Sequence, residues 1–311
     1  MSNIALLLLC LVAGALLRRF GQLPAETPRA INRFIIYLSL PALVLLKVTP
    51  LVRSEAVGWK LLLPISVAWV LFAVAFVLFA WLGRQLGWSS KTTGAMVLSV
   101  GLGNTLFVGY PLLEWLLGPS VLPLAVLVDQ LGSFLVLSTL AVIVAAFFGG
   151  GAPKPSELVR RVVTFPPFVA LIVAAIWGLV GDFRLATGMT ALLEKLSVTL
   201  VPLAIFSVGA SLRVDRALLV RRWRQVTLGL AFKLVLFPLS FVVLYGYLFG
   251  MRGMPLAVTI LQSAMAPMAT SAVLVAEFGL DEELAGLLLG LGIPLSILTV
   301  FAWNEVLLVL F

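Results

Sequence analysis

The sequence predicts an all-α integral membrane protein, and three observations predict it. Of its 311 residues, 62% are apolar (AVILMFWYC) and 11% are charged, whereas a soluble domain has about 45–50% and about 25%. The apolar residues run in long stretches. The connections between the stretches are too short to form a soluble domain. This excess of apolar side chains cannot be buried in one soluble core.

Ten stretches are long and apolar enough to cross a bilayer, since about 20 helical residues span about 30 Å of hydrocarbon. Each is predicted to be a helix, because backbone polar groups find no water to bond inside the bilayer. In chain order the stretches are Asn3–Leu17, Ala30–Val48, Trp59–Leu82, Thr92–Leu117, Val121–Phe148, Val162–Gly181, Ala191–Leu212, Gln225–Phe249, Met254–Phe278 and Leu284–Leu310.

The first stretch resembles a signal peptide in length but not in charge. A signal peptide carries basic residues before its apolar core, whereas here Arg18 and Arg19 follow the core and nothing charged precedes it. We expect a retained helix.

Lys and Arg are distributed unequally between alternate connections. One set of connections carries fourteen of the 21 basic residues and the other set carries six, with Lys233 inside a stretch. Because cytoplasmic loops are enriched in Lys and Arg, we expect the first set to be cytoplasmic. Both termini then face away from the cytoplasm, and a bacterial inner membrane is the expected location.

The two halves of the chain resemble each other at a shift of about 163 residues. Glu114 falls on Glu277 at that shift, and Pro41 falls on Pro202 at a shift of 161. Five spans are an odd number, so the second half enters the membrane from the opposite side, which makes an inverted repeat. We predict a first repeat at 1–148, a cytoplasmic linker at 149–161 and a second repeat at 162–311. The alternative is a chance similarity between apolar segments.

The fourth and ninth stretches are predicted to be broken helices, because glycine, proline and polar residues interrupt them. Half-helix N-termini at such breaks carry partial positive charge and suit an anion. A kinked helix with small residues for close packing is the alternative for each. The substrate-binding candidates are Asn104, Thr105, Gly109, Tyr110, Pro111, Gln262, Ser263, Pro267, Thr270 and Ser271.

Ionisable side chains inside spans are costly in lipid and are therefore functional candidates. Asp129, with Gln130 beside it, lies halfway along the fifth stretch and is the candidate for a coupling proton or ion. A carboxyl group bonded to a neighbouring helix is the alternative. Lys233 in the eighth stretch is a candidate for attracting an anion, and snorkelling towards the lipid headgroups is its alternative.

Several function classes lack the residues they need. The chain has no histidine and one cysteine, Cys10, which excludes disulfide scaffolds and histidine-based metal or acid–base sites. We expect no metal and no cofactor, with H⁺ or Na⁺ as the possible coupling ions. The excess of basic residues is explained by the orientation of the protein in the membrane, so no nucleic-acid partner is expected. The sequence also has no phosphate-binding loop for ATP.

Four short motifs follow one another along the chain: Asn104, Thr105, Gly109 and Pro111, then Asp129 and Gln130, Lys233 to Pro238, and Ala266 to Thr270. Their order resembles that of the auxin efflux carrier family, over essentially the whole chain.

This resemblance implies a scaffold domain, a mobile transport domain and a substrate site where the fourth and ninth helices cross. It also implies transport of small organic anions, such as malate or malonate in bacterial members. The chain lacks the large hydrophilic loop of some plant members, and Met265 and Met268 stand where some relatives have polar residues.

We therefore expect a secondary transporter for a small organic anion, which works by alternating access around a midplane site. Its expected partners are the anion and the lipid bilayer, and a homodimer with a second copy of the chain is possible. A membrane channel or sensor is the alternative. An intramembrane enzyme fits less well, because Asp129 is the only aspartate within a span.

Overall fold

The computed structural model describes residues 2–24, 26–53, 61–151, 154–180, 187–212 and 215–310. Within them the chain forms helices and one isolated antiparallel bridge, with no strand of its own. The helices of the first half are α1 (Ser2–Arg19), α2 (Thr27–Val52), α3 (Leu62–Gln85), α4 (Ser90–Gly101), α5 (Thr105–Leu117) and α6 (Pro119–Gly149). Those of the second half are α7 (Pro155–Val163), α8 (Pro166–Leu179), α9 (Gly188–Ser211), α10 (Arg216–Leu248), α11 (Gly253–Ser263), α12 (Ala269–Glu277) and α13 (Glu282–Leu310).

The protein is a multi-pass helical membrane protein. Among the described residues, six helices are long and apolar enough to cross a bilayer: α2, α3, α6, α9, α10 and α13. The pair α7 and α8 passes the same test together but is bent by 63° at the break.

The bend differs from the sixth predicted stretch, which begins at Val162. The membrane helix begins instead at Pro166, after Thr164 and Phe165 leave the helical path. Proline lacks an N–H group and fits the first turn of a helix, so Pro166 and Pro167 start a new helix and do not continue α7. Two other predicted ends, Trp59 and Gly181, lie outside the described residues.

Four helices, α1, α2, α8 and α9, form one packed group that we call the four-helix bundle. Its two main contacts are α1 against α9 and α2 against α8. Glycines bring the backbones together: a Cβ on Gly14 would collide with the backbone of Phe206, and one on Gly178 would lie 2.6 Å from Val52 Cβ. Small residues at such contacts are typical of helix packing in membranes.

Eight other helices, α3 to α6 and α10 to α13, form a second group that we call the crossover bundle. Two indole N–H groups tie it together: Trp69 of α3 donates to the Leu131 carbonyl (3.0 Å), and Trp303 of α13 donates to the Leu234 carbonyl (2.8 Å). The two bundles meet along α2, α9, α5 and α6.

Two of the prolines inside the long helices are preceded by π-helical turns. Such turns cover Ile35–Ser39 before Pro41 and Phe232–Leu236 before Pro238. A proline cannot donate to the carbonyl four residues back, and its ring clashes with that carbonyl. The wider turn re-pairs the backbone, since the Leu40 N–H reaches the Ile35 carbonyl and thereby keeps the helix continuous.

Candidate functional site

Two interrupted helix pairs cross at the centre of the crossover bundle. Helix α4 ends at Gly101 and α5 begins at Thr105, while α11 ends at Ser263 and α12 begins at Ala269. The unwound segments pair with each other: the Asn104 N–H donates to the Ala266 carbonyl (2.8 Å), and the Met268 N–H donates to the Leu102 carbonyl (3.1 Å). Gly103 lies opposite Pro267 in this short antiparallel bridge. The crossing thus satisfies backbone groups that lipid could not.

Four helix ends meet at the crossing, and their dipoles differ in sign. The N-termini of α5 and α12 carry partial positive charge, and the C-termini of α4 and α11 carry partial negative charge. Asn104 caps the first of these N-termini, because its Oδ1 accepts from the Phe107 N–H (3.2 Å). No side chain caps α12. The Nδ2 of Asn104 is buried without a hydrogen-bond partner.

Asp129 lies beside the crossing at the centre of a buried network. Its Oδ1 accepts from the Thr105 hydroxyl (2.5 Å), and its Oδ2 accepts from the Gln130 amide (2.7 Å) and the Tyr110 hydroxyl (3.2 Å). Hydrogen bonds to a carboxylate favour its charged form and offset the cost of burial. The network joins the N-terminal part of α5 to the middle of α6. The carboxyl group of Asp129 in α6 is therefore bonded to the neighbouring helix α5.

A cavity of about 420 Å³ opens between the two bundles next to this network. Four predicted site residues line it, namely Asn104, Asp129, Gln130 and Thr270. Its walls are mostly apolar, and the rings of Phe134 and Phe165 stack in them with centroids 4.0 Å apart.

An ion pair stands at the mouth of the large cavity. Arg161 Nη2 of α7 lies 2.5 Å from Glu277 Oε1 of α12. Their side chains are 38% and 47% exposed, so the pair is largely solvated and easily broken. It connects the segment that leads into α8 of the four-helix bundle with the end of a half-helix in the crossover bundle.

A second cavity, of about 300 Å³, lies on the other side of the network. It is lined by Tyr110 and Pro111 and by Lys47 and Glu114. Along α2 the large cavity touches Ile36 while the second cavity reaches Lys47, and at 1.5 Å per residue these positions are about 16 Å apart along the helix. The two cavities therefore approach the crossing from opposite faces. Tyr110 lines the second cavity and bonds Asp129, which lines the first.

The remaining predicted site residues lie deeper. A small cavity of about 10 Å³ is lined by Thr105, Lys233, Gln262 and Ser263. Gly109, Pro267 and Ser271 line none of the three cavities. Ser271 instead donates its hydroxyl to the Met268 carbonyl (2.7 Å).

Lys233 has no exposed surface. Its side chain therefore does not snorkel towards the headgroups, which corrects that alternative. The side chain reaches the crossing, since a Cβ built on Gly103 would lie 3.3 Å from its Nζ.

Sequence reasoning missed several cavity residues. Phe107, Phe134 and Phe165 line the large cavity, but in the sequence they are indistinguishable from other apolar residues of the spans. In the sequence, Arg161 contributes only to the charge of a connection, and no local pattern marks Glu277 as a cavity residue. The one available signal was that Glu277 is the repeat counterpart of Glu114, which lines the second cavity.

The comparisons with known proteins decide the family. A sequence model described as "Membrane transport protein" matches residues 1–304. The chain belongs to this family. The predicted resemblance to the auxin efflux carriers is thereby confirmed.

Its relatives are transporters by name. The chain is 28% identical to an uncharacterized transporter of Methanothermobacter thermautotrophicus over 302 residues, 96% of each chain. It is 25% identical to another uncharacterized transporter, from Methanocaldococcus jannaschii, over 99% of each chain. It is also 26% identical to a Rhizobium meliloti protein named "Putative malonate transporter", over 64% of this chain and 62% of that one.

Proposed function

We propose that this protein is a secondary transporter that carries a small organic anion by alternating access around the crossing. The observation that carries the proposal is the pair of cavities on opposite faces, separated by the bonded side chains of Tyr110 and Asp129. A carrier needs a site that is reached from one side at a time, whereas a channel needs a continuous path. Movement of the crossover bundle against the four-helix bundle enlarges one cavity while it closes the other.

The anion binds in the large cavity at the open N-terminus of α12. No side chain caps this helix, and Thr270 of its first turn lines the cavity. Across the cavity, the unpartnered Nδ2 of Asn104 supplies an N–H donor for a carboxylate oxygen. A carboxylate gains both the helix dipole and a charge-assisted hydrogen bond there. The remaining predicted site residues act by shaping the two unwound segments.

The substrate class is a small carboxylate. The name of the Rhizobium relative points to malonate for that protein. The chain has no ATP-binding loop, so in this proposal transport is driven by an ion gradient or by the gradient of the substrate itself. Asp129 is our candidate for carrying a coupling proton, because it lies between the two cavities. Facilitated diffusion without coupling is the alternative.

The membrane topology that we propose has ten spans in two inverted repeats, 1–148 and 162–311, joined by the linker 149–161. In this scheme α4 with α5 and α11 with α12 each make one broken span. The packing supports the inversion. Spans one, two, six and seven are α1, α2, α8 and α9, and the main contacts join α1 to α9 and α2 to α8. Replacing each span by its repeat counterpart turns the first of these contacts into the second. Gly14 and Gly178 serve these two contacts and lie one repeat apart.

The face that carries Arg161 is cytoplasmic in this proposal and the face that carries Lys47 is external, with both termini external. A bacterial inner membrane remains the expected location. The homodimer stays a prediction.

The test is counterflow in proteoliposomes. A thermal-unfolding screen with malonate, malate, succinate, benzoate and indole-3-acetate selects the acid that stabilises the protein most, because ligand binding raises stability by mass action. Liposomes loaded with this acid should then accumulate the labelled acid transiently. Absence of both a stabilising acid and counterflow contradicts the organic-anion proposal. Flux that does not saturate, without counterflow, favours a channel.

A further inference from the structure

Lys233 places a basic side chain in the middle of α10. It is fully buried, and its Nζ has no hydrogen-bond partner among the described residues. The polar side chains that line the small cavity around it are all neutral, namely Thr105, Ser133, Gln262 and Ser263. A buried charge without a counter-charge is strongly unfavourable. A charged amine at this position therefore requires compensation from groups other than a carboxylate.

Helix ends supply the compensation. Helix α4 ends at Gly101 and α11 ends at Ser263, and both residues line the Lys233 cavity. The C-terminus of a helix carries partial negative charge. The two negative helix ends thus face Lys233, while the N-termini of α5 and α12 border the substrate cavity through Asn104, Phe107, Met268 and Thr270.

The polar side chains around Nζ present oxygen atoms that can act as ligands for a cation. Gln262 Oε1 is buried without a partner, and its amide nitrogen donates to the Ala125 carbonyl (3.3 Å), which leaves the oxygen free to turn inward. The hydroxyl groups of Thr105 and Ser133 complete the lining. Hard oxygen ligands together with unwound backbone and half-helix C-termini form a site for a small monovalent cation.

We propose that the crossing contains a monovalent-cation site whose occupant is the ammonium group of Lys233. The free volume beside the ammonium is about 10 Å³, which accommodates at most one water molecule. Na⁺ and the ammonium group therefore exclude each other. A shortened, neutral side chain at this position opens the site to Na⁺ or to methylammonium.

One consequence rests on the proposed function: transport by the native protein does not depend on a Na⁺ gradient, because the cation is part of the chain. The site itself does not rest on it, so we test it by stability. Thermal-unfolding midpoints are measured in detergent at constant ionic strength, in choline chloride, NaCl or methylammonium chloride. The variants are Lys233→Ala, Lys233→Met and, as an apolar truncation at the neighbouring buried position, Leu234→Ala.

The native protein should have the same midpoint in all three salts. Lys233→Ala should have a lower midpoint in choline and should regain at least about 3 °C in NaCl or methylammonium chloride. Lys233→Met, which is neutral but fills the space, and Leu234→Ala should not respond. A Na⁺-specific rise in the native protein overturns the proposal, and so does a Lys233→Ala variant that responds no more than Leu234→Ala.

A second variant decides the matter if Lys233→Ala does not fold. Gln262→Glu adds a carboxylate to the cavity at nearly constant volume, and it should match or exceed the native midpoint because it pairs with the ammonium group. A fall of several degrees overturns the proposal, since it means that no cation faces residue 262. If counterflow fails with every acid but these midpoints behave as expected, the cation site stands and the transport proposal falls.

Discussion

The two unwound segments of the crossing share a backbone arrangement but differ in their side chains. Each donates one N–H group to a carbonyl of the other. Asn104 caps the half-helix that follows it, whereas Met268, at the corresponding place before α12, does not. The carboxyl group of Asp129 bonds Thr105 and Tyr110 of the first pair, while the second break contains the buried Met265 and Met268.

This difference shows that the backbone arrangement of the crossing does not depend on the polar side chains around it. Breaking and pairing the helices needs glycine, proline and mutual backbone bonds, which both segments provide. Polar chemistry is concentrated around the first segment. The second segment contributes a helix end that no described side chain caps, which is useful to an anion because no side chain there competes for its N–H groups.

The largest effect is expected for Asp129→Asn. An amide places an N–H donor where the native carboxylate accepts, so at least one of the Thr105, Tyr110 and Gln130 donors loses its partner. We expect the initial rate of counterflow to fall at least tenfold (about 1.4 kcal/mol), together with loss of any response to a pH gradient.

Asp281→Asn is the matched control for this change. Asp281 accepts a hydrogen bond from Thr92 (2.8 Å) and pairs with Arg222 (3.2 Å), away from both cavities. The Asp281→Asn variant should therefore lower the unfolding midpoint and leave the response of transport to a pH gradient intact. Native rates and native pH response in Asp129→Asn contradict the role of this carboxylate.

The next effect separates the two segments directly. Asn104→Ala removes a helix cap, worth about 1 kcal/mol, and the free Nδ2 donor. We expect folded protein with clearly slower transport, measured as counterflow per amount of monodisperse protein. Met268→Ala removes neither a cap nor a donor and should slow transport less. The reverse order would show that the second segment carries the chemistry.

A smaller effect is expected at the cavity mouth. Arg161→Gln and Glu277→Gln each break a solvated ion pair, which costs at most about 1 kcal/mol. The rate of transport should change a few-fold and lose part of its dependence on KCl concentration, because salt screens exposed pairs. Glu157→Gln, on the same helix α7, serves as the control. Equal salt dependence in all three variants would remove the pair from the transport cycle.

The smallest effect is expected for Gly109→Ala. A Cβ there would lie 3.4 Å from the Asn104 carbonyl and 3.7 Å from Met265, which are ordinary contacts in a helical turn. Stability should change by less than about 0.5 kcal/mol. Gly103→Ala should cost more, since its Cβ would approach both the Gln262 carbonyl and Lys233 Nζ at 3.3 Å. Thermal midpoints check the order, and a reversed order would mean that the crossing tolerates a side chain.

The sequence predicts local features of the fold well. Gly101, Gly103 and Pro267 locate both breaks, because glycine and proline disrupt helices wherever they stand. Asp129 is conspicuous because carboxyl groups are rare in spans.

Contacts between distant positions are not predictable in this way. Arg161 and Glu277 are 116 residues apart, and no local pattern joins them. The sequence allows two interpretations of Lys233, and only its complete burial in the structure excludes snorkelling. The bend before Pro166 is predictable in retrospect, because the pair Pro166 and Pro167 is typical of the first turn of a new helix.

Alternating access is tested most directly by labelling the two cavities from opposite sides of the membrane. Cys10 is the only cysteine, so Val273→Cys for the large cavity and Ser197→Cys for the second can be studied singly in a Cys10→Ser background. A membrane-impermeant maleimide should reach each cysteine from one side only. The acid selected by the stability screen should change the two labelling rates in opposite directions. Labelling of both cysteines from the same side, or rates that rise and fall together, would contradict the account.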